Sequence, residues 1–240
     1  MSHNPGPVAQ SAPSRPRRLA RRAVDEANEA ALSKKHDAPP PRIAAIILAA
    51  GRSSRMGANK LTLPLEGKPV LRHVVDAART SGAAPILVVL GHEAEKIATL
   101  LEGASVSLVF NEDFHQGLST SLKHGVAALP ADVDGALIFL GDMPDVSANL
   151  AQRMIAAFNP REPRGVVVPK RNGRQGHPVL WGRGFFAILL EKLSGDVGAK
   201  HLIREYAASV AEVDADDDGV FTDLDTPEDF SARKSRNGAA

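Results

Sequence analysis

From Ile43 onward, apolar runs stopped by glycine alternate with segments whose apolar residues recur three and four apart. "IAAIILAAG" is continuously apolar, the pattern of a strand buried on both faces. In "KPVLRHVVDAARTSG" the spacing of Val70, Leu71, Val74, Val75 and Ala78 predicts a helix with one apolar face, stopped at Gly82. The alternation then repeats. "PILVVLG" reads as a strand, "HEAEKIATLLEG" as a helix, "VSLVFN" as a strand, and "GLSTSLKHGVAAL" as a helix with Ser119 and Thr120 as candidate caps. "GALIFLGDMP" reads as a strand, "SANLAQRMIAAF" as a helix capped by Ser147, and "GVVVPK" as a fifth strand. Strands separated by helices of this length pair in parallel through right-handed crossovers. The expected fold class is therefore α/β: a doubly wound, mostly parallel sheet flanked by helices, with ligands beyond the carboxyl ends of its strands.

The first 42 residues break this pattern. Residues 1–14 are rich in Pro, Ser, Ala and Gly and are expected to be disordered, Arg15–Leu32 reads as a solvated helix, and "HDAPPPR" is a stiff linker. The expected organisation is a basic, Pro-rich leader over 1–42, one domain over 43–231 and a flexible tail over 232–240. Charge follows the same division. Residues 1–42 hold 8 Lys+Arg against 4 Asp+Glu, and the remainder 21 against 24, so the body is mildly acidic. Nucleic-acid binders carry basic patches on the folded body, so no nucleic-acid partner is expected. No apolar run approaches the roughly 18 residues of a membrane span, so no membrane partner is expected either. No apolar segment follows the leader's arginines, as a secretory signal requires, and Asp25, Glu26 and Glu29 count against an organellar transit peptide. With no cysteine, disulfides, thiolate zinc sites and cysteine nucleophiles are excluded, which agrees with a cytoplasmic setting.

The residues at the predicted strand ends carry the chemistry. In "LAAGRSSRMGANK", Gly51 and Gly57 allow tight turns with backbone N–H groups facing a ligand. Ser53 and Ser54 add hydroxyl donors, and Arg55 and Lys60 add positive charge. At a strand-to-helix junction this makes a polyphosphate cradle, although its spacing is neither GxxxxGK[ST] nor GxGxxG. In "FLGDMPDV", Asp142 emerges at the sheet edge, where one carboxylate beside bound phosphates is what magnesium uses; Asp145 reads as a turn residue. In "FTDLDTPEDF", Asp223 and Asp225 alternate on a short strand and point the same way, offering a second metal ligand, before Thr226–Pro227 opens a final helix. "DADDDG" lacks the calcium-loop spacing and reads as an exposed turn. "RNGRQGHPVLW" gathers Arg171, Arg174, Gly176 and His177 ahead of an apolar strand, a candidate face for an anionic second substrate. "GDVGAKHLIREY" adds Lys200 at a helix start. With no GxSxG elbow and no HExxH motif, these groups together suggest phosphate-ester chemistry, in which positioning and charge neutralisation do most of the work.

In order, "LAAGRSSRMGANKLTLPLEGKPVL", "GDMP", "GRQGHPVL", "GDVGAK" and "TDLDTPEDF" resemble the molybdenum cofactor nucleotidyltransferases, most closely the cytidylyltransferase branch, over Ile43 to Phe230. The resemblance implies the Rossmann variant of nucleotide-diphospho-sugar transferases, and transfer of CMP from CTP to a molybdopterin-type cofactor with loss of pyrophosphate, using Mg2+. It implies that Leu48, Ala49, Ala50, Gly51, Ser53 and Ser54 hold the nucleotide, that Arg55 meets its outer phosphates and Lys60 its α-phosphate. Asn111, Gly117 and Ser119 would read base and ribose, Asp142 and Asp225 would bind the metal, and Arg174, Gly176, His177 and Lys200 would face the acceptor. Ala50 matches the cytidylyl LAAG, where the guanylyl branch usually has LAGG. Lys200 replaces the arginine of the family's GDxGAR, and the long leader departs from the family's short N-terminus, although some relatives carry a linker there to a fused molybdopterin-binding domain. A recipient molybdoenzyme is a candidate partner. Three other readings share parts of the pattern: a nucleotidyltransferase using GTP or another phosphorylated acceptor, a carrier that delivers finished cofactor, and a nucleic-acid binder acting through the leader.

Overall fold

The computed structural model describes residues 39–53, 56, 58–159, 165–196 and 198–237. The expectations for residues 1–38, and for Ser54, Arg55 and Gly57, fall outside them. β1 (Ile43–Ala49) is buried at all seven positions. Its residues alternate between two cores: Ile43, Ala45, Ile47 and Ala49 face one, and Ala44, Ile46 and Leu48 the other. A strand with apolar contacts on both faces must lie between two helical layers, and this one does.

After a small antiparallel hairpin, β2 (Pro64–Leu65) and β3 (Lys68–Pro69), the chain builds β4 (Ile86–Leu90), β5 (Ser107–Phe110) and β6 (Gly135–Leu140). It then builds β7 (Val166–Arg171), β8 (Arg174–Gln175), β9 (Val179–Gly182) and β10 (Val210–Asp214). The main sheet runs β10-β7-β9-β6-β1-β4-β5, with β8 paired to β7. β1 pairs in parallel with β4 and β6, β4 with β5, and β7 with β10. β9 is antiparallel to both β6 and β7. The reversal follows from Asn172–Gly173, whose φ values of 50° and 78° make a two-residue turn joining β7 to β8. So short a link leaves no room for a crossover helix, and the chain returns antiparallel.

One core packs α1 (Val70–Thr80), α2 (Ala94–Leu100) and, later in the chain, α4 (Ala148–Ala157) on the sheet; the other packs α3 (Leu118–Ala127), α5 (Phe186–Lys192) and α6 (Lys200–Glu205). The buried face of α1 is Val70, Leu71, Val74, Val75 and Ala78, as its spacing dictates, and Gly82 ends it at φ 85°. Ser147 caps α4, accepting the Leu150 N–H at 3.2 Å. Neither Ser119 nor Thr120 caps α3. Gly117 is the N-cap, and the Ser119 N–H donates to the Gly195 carbonyl at 3.2 Å.

Fully buried side chains such as Ile46, Ile47, Leu90 and Leu137 contribute about 1.5–3 kcal/mol each, so the strand ends form a stiff platform for the loops beyond them. The final helix, α7 (Pro227–Asn237), crosses position 231. Thr226 and Asp229 cap it reciprocally: the Asp229 N–H donates to the Thr226 hydroxyl, and the Thr226 N–H to the Asp229 carboxylate. The stretch around Asp223 and Asp225, expected as a strand, is extended chain outside the sheet. It lies beside Asp142, just beyond the carboxyl end of β6. Among the described residues no helix is long and apolar enough to cross a membrane.

Candidate active site

The strand order reverses at β1: the chain steps outward to β4 and β5, then returns to β6 on the other side. Ligands of open α/β sheets bind beyond such a switch. Two loops leave from it. The first leaves β1 through buried Ala50 to Gly51 and Ser53. Ser53 adopts φ 51°, costing roughly 1–2 kcal/mol for a residue with a Cβ, and its hydroxyl accepts the N–H of Lys60 at 3.2 Å. Asn59 then caps a single 3-10 turn, its side-chain oxygen accepting the Leu61 N–H, and Leu61 is buried. Lys60 is thereby held at the rim. The second loop leaves β6 through Gly141, whose N–H donates to the Leu48 carbonyl at 2.9 Å; a Cβ there would lie 2.9 Å from the same oxygen. The close approach that glycine permits sets Asp142 beside Lys60.

The third part comes from far along the chain. Leu224 is fully buried against Leu65 and Val70, and its N–H donates to the Asp142 carbonyl at 3.1 Å. Asp225, the next residue, reaches Lys60 from the opposite side. Lys60 Nζ stands 2.5 Å from Asp142 Oδ2 and 2.6 Å from Asp225 Oδ1. The three side chains are 12%, 19% and 28% exposed. Burial alone would push the Lys60 ammonium down from its ordinary pKa, but Asp142 and then Asp225 outweigh it and hold the group above that value. Burial, reinforced by the Asp225 charge, raises the Asp223 carboxyl.

No group of three or more acidic or histidine side chains suited to a metal occurs among the described residues. The site has two carboxylates whose oxygens already converge on one cation, the Lys60 ammonium. Two carboxylates with substrate phosphates completing the shell is how magnesium is commonly held, so this donor set fits a hard divalent ion that arrives with a nucleotide.

Two cavities adjoin beyond the strand ends and share Leu48, Leu118 and Leu140. The larger, about 510 Å³, is lined by Leu48, Ala49, Ala50, Gly51, Ser53 and Gly117, together with Lys60, Asp142 and Asp225. Asn111 and Ser119, expected on its wall, are not there. Both are buried, and the Asn111 amide donates to the hydroxyls of Thr120 and Ser121, so Ser121 faces the cavity and Asn111 braces it from behind. Phe114, His115 and Asp196 also line it. Nothing in the spacing marks Phe114 or His115, whereas Asp196 belongs to the "GDVGAK" stretch, and its packing with Gly195 on Gly117 builds that wall. A Cβ at Gly117 would lie 2.6 Å from the Asp196 carboxylate and the Gly195 carbonyl.

The second cavity, about 300 Å³, is lined by Arg174, Gly176, His177 and Lys200, all four expected acceptor-facing residues. Its depth is apolar, from Ile138, Met143, Val179 and Trp181, and its mouth is charged. The Arg174 guanidinium lies 4.3 Å from the Phe221 ring centroid. Gly176 permits the approach of the Val220 carbonyl, which a Cβ would meet at 2.5 Å and which accepts the His177 N–H. Burial pushes the His177 imidazole below the ordinary histidine pKa, with Asp142 partly opposing, so the ring is neutral at neutral pH. Arg171 takes no part. Its side chain is tied to Asp218 at 2.8 Å and to the Ala215 carbonyl.

Residues 45–210 match the MobA-like NTP transferase domain. The chain is 30% identical over 193 residues to the molybdenum cofactor cytidylyltransferase of Escherichia coli, covering 80% of this chain and 95% of that one. It is 25% identical to the nicotine blue oxidoreductase of Paenarthrobacter nicotinovorans, over 80% and 96%. Among solved structures, Rv0371c of Mycobacterium tuberculosis in complex with manganese aligns with a TM-score of 0.70 at 28% identity, over 81% and 98%. The sheet, with β9 reversed between β6 and β7, is the fold of the nucleotide-diphospho-sugar transferases. This chain belongs to the MobA-like NTP transferase family and is a nucleotidyltransferase.

Proposed function

We propose that the protein transfers CMP from CTP to the terminal phosphate of a molybdopterin-type cofactor, releasing pyrophosphate. The observation that carries this is a pair of cavities joined at Leu48, Leu118 and Leu140: the larger holds the glycine loop with Lys60, Asp142 and Asp225, and the other is apolar with a basic mouth. In this reading the nucleotide occupies the larger cavity. The acceptor's flat ring enters the apolar depth and its phosphate lies toward Lys200 and Arg174.

Asp142 and Asp225 would hold Mg2+, which supplies charge neutralisation on the phosphates. Lys60 turns its ammonium to the α-phosphate and stabilises the negative charge that develops there. An acceptor phosphate oxygen attacks the α-phosphorus, the bond from that phosphorus to the αβ-bridging oxygen breaks, and pyrophosphate leaves with the bridging oxygen. Positioning of the two substrates supplies much of the rate, so no covalent nucleophile is required. Ala50 supports cytosine as the base.

A second reading keeps the transfer and changes the acceptor. The acceptor cavity has an apolar depth, of Ile138, Met143, Val179 and Trp181, which would suit a less polar heteroaromatic phosphate than a pterin. Pyrophosphate release at fixed CTP, with molybdopterin-form cofactor and with other phosphorylated heteroaromatics in turn, separates the two. Release with molybdopterin supports the first reading, and release only with another acceptor overturns it.

A further inference from the structure

Arg233 lies on α7, one turn after Phe230, which packs against the Leu65–Val70–Leu224 cluster. Its Nε donates to both carboxylate oxygens of Asp145, at 2.6 and 2.8 Å, and its Nη1 donates to Glu66 Oε1 at 2.9 Å. The Arg233 and Asp145 side chains are only 13% and 18% exposed, so this is an enclosed pair and not a loose surface contact.

The positions of the partners are informative. Asp145 follows Asp142 by three residues, Glu66 follows Lys60 by six at the turn of the β2–β3 hairpin, and Arg233 follows Asp225 by eight. One guanidinium therefore joins the three chain segments that carry the three charged site residues. The planar fork of arginine can serve two carboxylates at fixed angles, which a lysine ammonium cannot do. Phe230 anchors α7 on the Leu65–Val70–Leu224 cluster, and the Thr226–Asp229 cap closes its first turn, both without Arg233. Without Arg233 the helix keeps its seat, while the loop after β6 and the hairpin after Lys60 lose their common tie.

Resting on the reading of Lys60, Asp142 and Asp225 as the transfer centre, we propose that Arg233 is a positioning residue that sets the separation of Asp142 and Asp225 around their cation. It touches neither substrate. Misplacement of reacting groups by about 1 Å can cost about 100-fold in rate, and loss of a group that orients metal ligands typically costs about 10–100-fold in metal affinity.

The test titrates Mn2+ into the full chain with saturating CTP and reads free Mn2+ by electron paramagnetic resonance, well below the unfolding temperature. Arg233→Met should weaken Mn2+ binding by about tenfold or more and lower kcat by a similar factor, with KM for CTP changed by less than about twofold. Arg233→Lys should fall between Arg233→Met and wild type, because one ammonium reaches Asp145 without spanning to Glu66. Glu66→Gln leaves the buried Asp145 half intact and should give a smaller loss in the same direction. It carries the test if Arg233→Met does not fold. Mn2+ affinity and turnover equal to wild type in the folded variants would overturn the proposal and leave Arg233 a stabilising contact only. Failure of the wild type itself to retain Mn2+ with CTP would overturn the transfer-centre reading and the clamp with it, a result visible before any variant is compared.

Discussion

Replacing Lys60 by methionine removes the cation from between Asp142 and Asp225 and leaves two carboxylates facing each other, with Asp223 contributing further negative charge. Stranding a charge in a fully buried pair costs about 3–5 kcal/mol. These carboxylates are 19% and 28% exposed, so water screens part of the repulsion and the expected loss is about 1–2 kcal/mol. For a domain of this size that lowers Tm by about 2–8 °C. The sign with pH follows from the elevated Lys60 pKa. A lysine held above its ordinary value contributes fully at neutral pH and loses that contribution as pH rises through the folded-state value. The Tm gap between wild type and variant should therefore be constant near neutrality and narrow above about pH 10.4. A second signature separates this account from ordinary packing loss: the freed carboxylates bind a divalent ion without competition from the ammonium. Mn2+ alone should then raise Tm more in Lys60→Met than in wild type, while pyrophosphate release falls by about 10²–10³-fold. Differential scanning fluorimetry with and without Mn2+, paired with a pyrophosphate assay, reads all of these. An unchanged Tm with no extra response to Mn2+, or turnover within about threefold of wild type, would refute the reasoning.

Three further outcomes follow from the same geometry. Asp142→Asn keeps the side chain's shape but removes one of the two charges on Lys60, so turnover should fall by about 10²-fold or more in a protein whose far-UV circular dichroism matches wild type. Gly91→Ala would place a Cβ 2.6 Å from that of Phe114 and 2.8 Å from that of Ala50. Relieving this overlap costs about 1–3 kcal/mol, and KM for CTP should rise about tenfold with little change in KM for the acceptor. His177 is buried with a depressed pKa, so its contribution is complete above the ordinary histidine value and is lost as pH falls below it. In urea titrations from about pH 7.5 to about 5.5, His177→Gln should lose less stability than wild type, and equal losses would contradict that assignment.

What the sequence made legible follows from how local each signal is. The apolar run Ile43–Ala49, the five-residue face of α1 and the Ser147 cap depend on neighbours within a few positions, and all three stand as their patterns dictate. The reversal of β9 is also written locally, in the Asn172–Gly173 pair between "VPKR" and "RQ", a hairpin signal that the strand–helix alternation does not include. Glu66–Gly67 marks the β2–β3 turn in the same way, with both residues at positive φ. The site divides along the same line. Lys60 and Asp142 lie together in one cavity, and Arg174, Gly176, His177 and Lys200 line the adjoining one. Asn111 and Ser119 line neither of the two site cavities, because the Asn111 hydrogen bonds to Thr120 and Ser121 and packing at the start of α3 turn them inward. Phe114 and the Arg233 tie depend on contacts between distant segments, and periodicity carries no record of those.

The most direct measurement is pyrophosphate release from CTP and from GTP, with Mg2+ and molybdopterin-form cofactor, by wild type and by Asp142→Asn. The account predicts release from CTP in preference to GTP, lost in the variant. Release from GTP alone would contradict the base assignment at Ala50, and no release from either nucleotide would contradict the proposed transfer itself.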